Sequence, residues 1–113
     1  MTDFYNIISN SSEGNKHAYV VKINEHHRVF EGHFPGNPIV PGVMSLMMIR
    51  ECAERQLGHA TRFAYIKDVK YIQAIVPNGE EITIKFDLDG NNIAGEVNDS
   101  TGVSLLKIKA TLA

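Results

Sequence analysis

The chain carries one cysteine, Cys52, which excludes an internal disulfide and fits a reducing cytoplasm. Free cysteine behaves mostly as a small hydrophobe, and the apolar stretch around Cys52 points to a core position rather than a nucleophile. Charge of neither sign is in great excess: the net charge of −2 lacks the basic surplus of a nucleic-acid-binding domain. No apolar run approaches the roughly 20 residues that span a bilayer, so no membrane association is expected. The first ten residues hold an acid at Asp3 and no basic start, so no signal peptide is expected and a cytoplasmic location follows. A Gly-rich phosphate loop, a cysteine pair and a Ser-centred elbow are all missing. His26 and His27 have no acidic partner at a metal-ligating spacing and read as solvated strand-end residues, and His59 reads as exposed. Neither a metal nor a cofactor is expected. Internal repeats and low-complexity segments are absent too.

What is present is an ordinary globular composition, 43% hydrophobic and 21% charged, in a length that suits one domain over residues 1–113. A chain this short buries a smaller share of its surface than a large enzyme does. Association with a second chain would therefore help it, above all if it must enclose an apolar ligand.

Residues 4–9 read as a first strand, followed by a turn at 11–15. Residues 17–24 read as a second strand, with Tyr19, Val21 and Ile23 on one face. From residue 25 to 42 the character changes. Pro35, Pro38 and Pro41 recur every three residues with Gly32, Gly36 and Gly42 among them, which predicts a rigid extended loop and no helix. A helix is predicted from Gly42 or Val43 to about Leu57, stopped by Gly58. Its first half, residues 43–49, is apolar nearly all round and so is predicted to be buried on most sides. Strands follow at 63–76, with a bulge near Lys67 and Asp68, then at 81–88, 93–97 and 103–112. Pro77-Asn78-Gly79, the hairpin signal Asp89-Gly90-Asn91-Asn92 and residues 98–102 separate them. Two strands, one apolar helix and an antiparallel meander make an α+β chain whose sheet curls around the helix. An open sheet edge invites edge-to-edge pairing with a second chain.

The segment Gly32-His33-Phe34-Pro35-Gly36-Asn37-Pro38-Ile39-Val40-Pro41-Gly42 resembles the active-site loop of the bacterial 3-hydroxyacyl-[acyl-carrier-protein] dehydratases. Val29-Phe30-Glu31 before it and residues 65–77 after it extend the likeness over roughly residues 23–113. The N-terminal segment matches poorly. The resemblance implies a hot-dog fold, an antiparallel sheet wrapped around one central helix, and a dimer. It implies a cofactor-free hydro-lyase that removes water from a 3-hydroxyacyl thioester on acyl carrier protein or coenzyme A, giving the trans-2-enoyl thioester.

That reaction needs a base for the C2 proton, an acid for the departing C3 hydroxyl and donors for the developing enolate oxygen. By resemblance His33 is the base, a role that suits an imidazole near neutral pH. Phe34 borders the substrate. The N–H groups of Gly42 and Val43, at the start of the helix, have no intrahelical partner and would face the thioester carbonyl. Gly42, lacking a side chain, would let the substrate come close.

The family's second catalytic group, a Glu or Asp on the helix, falls by spacing on Met47, which has no proton to give. Glu51, one turn further along the same face, is a substitute acid or else a surface charge paired with Arg50 or Arg55. Glu54 reads as solvent-facing. Met44 and Met48 read as core, while Met47 is either core or a pliable wall for an acyl chain. Alternatively, the acid comes from a partner chain, in family dimers the site being shared between subunits. This chain would then be an acyl-binding or half-site subunit of a heterodimer rather than a homodimer. A thioesterase using His33 and Glu51 is a third reading. Lys67, Lys70, Lys107 and Lys109 form either a basic patch that steers an acidic carrier protein or ordinary solvated strand faces.

Overall fold

The computed structural model describes residues 3–32 and 36–113; His33, Phe34 and Pro35 lie outside them. The alternation seen late in the chain decides which sheet face is covered. In strand β4 (Glu81–Asp89), Ile82, Ile84 and Phe86 are buried while Glu81, Lys85 and Asp87 are exposed. Strands β5 (Asn92–Asn98) and β6 (Ser104–Leu112) bury Ile93 and Val97, and Leu106, Ile108 and Ala110, on the same face. Side chains two apart share a face, so this pattern leaves one apolar face to cover.

Strands β1 (Tyr5–Glu13), β2 (Lys16–Ile23) and β3 (Phe63–Tyr71) complete a six-stranded antiparallel sheet in the order β1-β2-β4-β5-β6-β3. Helix α2 (Gly42–Leu57) lies on its apolar face with Ser45, Met48, Ile49, Cys52 and Ala53 buried. Gly95 of β5 brings the layers together. A Cβ there would stand 3.1 Å from Ile108 Cγ2 and 3.3 Å from Ile49 Cγ2. This is the hot-dog arrangement expected from the sequence, and α2 ends as expected at Gly58, whose φ of 78° is left-handed and whose N–H meets the Glu54 carbonyl at 2.8 Å. No helix among the described residues is long and apolar enough to cross a membrane.

Four local expectations need correcting. The first strand runs to Glu13, because a two-residue turn at Gly14 (φ 61°) and Asn15 suffices to reverse the chain. The segment 25–42 is not extended throughout: Val29–Gly32 forms one helical turn, α1. The first proline restricts only the residues next to it, leaving the chain before it free to coil, and Phe30 is buried 5.9 Å from the ring of Phe4. His27 is not solvated. Its side chain is 10% exposed, its Nδ1 accepts the Val29 N–H at 3.0 Å, and its ring meets Phe4 edge-on. Strand β3 ends at Tyr71 rather than continuing to residue 76, though it carries the expected bulge between Ile66 and Asp68.

The start of α2 is not buried all round. Val43 is 73% exposed and Met44, Leu46 and Met47 are half-buried. A single sheet covers only one face of a helix, and these positions lie off that face.

Candidate active site

His33 and Phe34 lie outside the described residues, but both flanks of their loop are placed. On one side stands α1. On the other, the Val40 N–H bonds the Ile75 carbonyl at 2.9 Å, tying the loop's end to the segment after β3. Pro41 caps α2 with φ −59° and ψ 141°. The first helical bonds run from Met44 and Ser45 N–H to the Pro41 carbonyl, at 3.0 and 3.2 Å. The N–H groups of Gly42 and Val43 precede them and meet no acceptor among the described residues. Unpaired amides at a helix N-terminus carry partial positive charge, the setting an enolate oxygen needs.

A cavity of about 220 Å³ opens beside Gly42, lined by Val40, Ser45, Tyr71, Ile75 and Leu106 among others. Ser45 is buried and its hydroxyl lies 3.4 Å from the Pro41 carbonyl. The space above Gly42 is occupied by Tyr71. A Cβ on Gly42 would stand 2.9 Å from the Tyr71 hydroxyl. Gly42 therefore makes room for a ring of the protein, not only for a ligand. Tyr71 lies 29 positions away in sequence, and its strand alternation gave no sign of this contact.

Met48 is fully buried core, as expected, while Met44 and Met47 are half-buried against the core. Glu51 does not line the cavity. It sits nine residues beyond Gly42, about 14 Å along the helix, and accepts a hydrogen bond from the Tyr5 hydroxyl of β1 at 2.7 Å. Its burial works to raise its pKa, but the hydrogen bonds it accepts, that of Tyr5 included, and the charge of Arg50 hold its carboxyl below the usual range. Burial, then the bond to Glu51, pushes the Tyr5 phenol well above its ordinary value. Arg50 pairs with Glu54 at 2.8 Å, not with Glu51. Glu54 is half-buried rather than solvent-facing and also accepts the Thr61 N–H at 2.8 Å. Cys52 is a core residue as expected, its thiol pushed up to about 12 by burial.

A larger depression, about 730 Å³, lies on the sheet face turned away from α2. Lys70 faces Lys107 there and Lys109 faces Asp68 across β3 and β6. Lys85, Glu96 and Asp87 stand between, and Lys16 pairs with Asp87 at 3.4 Å. A hydrogen bond from Asn98, with Lys85 and Lys107 nearby, lowers the pKa of Glu96. Charges of both signs alternate, so the expected lysines form no basic patch. Lined by charged side chains of both signs, this depression suits an acyl chain poorly, and the smaller cavity at the helix start is the better site despite its size.

A family model described as ApeI-like, ApeI dehydratase, matches residues 9–104. The chain belongs to the ApeI-like dehydratase family. It is also similar to the 3-hydroxyacyl-[acyl-carrier-protein] dehydratase FabZ of Latilactobacillus sakei, 36% identical over 76 residues that cover 61% of this chain and 52% of the relative. The chain thus spans about half the length of the FabZ relatives it matches. Among solved structures it resembles a chain of the dehydratase heterocomplex ApeI:P from Xenorhabdus doucetiae, with a TM-score of 0.83 and 20% identity over 96% of both chains. An uncharacterised protein from Erwinia carotovora subsp. atroseptica follows, with a TM-score of 0.78 and 18% identity over 96% of this chain and 95% of that one. At those identities the structures speak for the fold alone.

Proposed function

We propose that the chain is a hydro-lyase that dehydrates 3-hydroxyacyl thioesters to trans-2-enoyl thioesters in the cytoplasm. Its substrate is carried on acyl carrier protein, or on coenzyme A. The observation that carries this reading is the open amide end of α2, at Gly42 and Val43, beside an apolar cavity and directly after the proline loop. Family membership supports the reaction class. In this reading the thioester carbonyl takes the Gly42 and Val43 amides, His33 removes the C2 proton, and Phe34 and Met47 border the acyl chain. Glu51 is the one carboxyl of α2 within a turn of Met47. To serve as acid it must carry a proton, although its partners favour the ionised form.

The working unit is a dimer. Strand β3 is an open edge of the sheet, and Tyr65 and Ile66 along it are exposed. An unpaired edge lined with apolar side chains is a template for a second strand. Methionine at position 47 favours a second reading, in which the partner is a different chain that supplies an acid and this chain contributes half a site.

The deciding experiment follows the interconversion of crotonyl- and 3-hydroxybutyryl-carrier protein by mass spectrometry, with wild type beside His33→Ala. Turnover by wild type, reduced at least about 100-fold in the variant, is expected of a general base. Absence of wild-type turnover, with longer acyl chains as well, would favour the half-site subunit and direct the search to a partner.

A further inference from the structure

With Met47 at the family's acid position, the proton for the departing hydroxyl needs another source. Glu51 does not line the cavity and is hydrogen-bonded to Tyr5 on the β1 side of the sheet. Among the side chains that line the cavity, two carry hydroxyls. That of Ser45 is buried against the Pro41 carbonyl. The other belongs to Tyr71, which closes β3 and is held by the pairing of Tyr71 with Leu106 and by the Ile72 N–H on the Leu105 carbonyl at 2.9 Å. Its ring stands over Gly42, yet 56% of the residue remains exposed, so an incoming thioester can reach the hydroxyl.

We propose that Tyr71 is the proton donor of this site, a catalytic residue that replaces the missing helix carboxylate. The proposal rests on the dehydratase reading above. A carbonyl oxygen held by the Gly42 amide places C3 only two bonds from the carbonyl carbon, within reach of a hydroxyl poised over the same glycine. Phenols keep their proton at neutral pH and serve as general acids. The C2–H bond breaks and its proton passes to the base, while its electron pair becomes the second bond between C2 and C3. The C3–O bond breaks, and the oxygen leaves as water with the phenol's proton. The proton on the base then returns to the phenolate, and the site is restored.

The test compares wild type with Tyr71→Phe at varied concentrations of 3-hydroxybutyryl-carrier protein and of the coenzyme A thioester. Phenylalanine keeps the ring over Gly42 and removes only the hydroxyl. A fall in kcat of about 100-fold or more, with KM within about threefold of wild type, is expected for loss of a general acid. Equal kcat in the two proteins, or a loss confined to KM, overturns the donor while leaving the dehydratase reading in place. Wild type inactive on both thioesters, and on those of longer acyl chains, overturns both. Thermal melting accompanies the assay, and Tyr71→Leu replaces Tyr71→Phe if the latter does not fold.

Discussion

At the scale of single residues, the pair Tyr5 and Glu51 shows how a buried contact contributes to a protonation state. The phenol donates to the carboxylate at 2.7 Å from a buried position, while Glu51 remains half-exposed. A hydrogen bond to a charged group contributes about 1.5–3 kcal/mol in a buried setting, and partial exposure of Glu51 reduces this to about 1–2 kcal/mol. Because the folded pKa of Glu51 is lowered, its contribution is fully present above the unfolded value, about 4.3 for glutamate, and is lost as pH falls through the folded value. Tyr5→Phe is therefore expected to lower stability by about 1–2 kcal/mol at pH 7, and the gap to wild type should narrow below about pH 4. Urea unfolding at pH 7 and pH 3 measures both. A gap that stays constant with pH would show that the phenol acts through packing instead.

At the scale of elements, the contact between α2 and the sheet depends on Gly95. The methyl groups of Ile49 and Ile108 that would meet a Cβ there are themselves buried in the core and have little room to yield. Gly95→Ala is expected to cost about 1–3 kcal/mol through overpacking, read as a lower urea midpoint at unchanged slope. The opposite case is Gly42, where the clash would be with the free end of the Tyr71 ring. The same scale explains why α1 escaped sequence reasoning. Four residues carry too little periodicity to announce a helix, and α1 exists because Phe30 finds Phe4 and because His27 accepts the Val29 N–H.

At the scale of the whole molecule, the sheet has an apolar edge at β3 and a helix start left uncovered. Light scattering on the purified protein is expected to give about twice the chain's 12.6 kDa. Ile66→Lys, which puts a charge on that edge, should shift the mass toward one chain. A wild type that stays monomeric at micromolar concentration would remove the dimer.

The sequence by itself determined the order of strands and helix, the stop at Gly58, the hairpin at Asp89–Asn92 and the proline loop that leads into α2. Those signals are local: period-two alternation, an apolar helical stretch, and Gly and Pro restricting the backbone next to them. Only the tertiary structure decided that Tyr71 lies over Gly42, that Glu51 faces Tyr5 rather than the cavity, and that Asp68, Asp87 and Glu96 stand among the lysines of the outer face. Each of these depends on the register between strands or on a helix meeting a strand 29 to 46 residues away. Such contacts join separate local patterns, and no single pattern carries them.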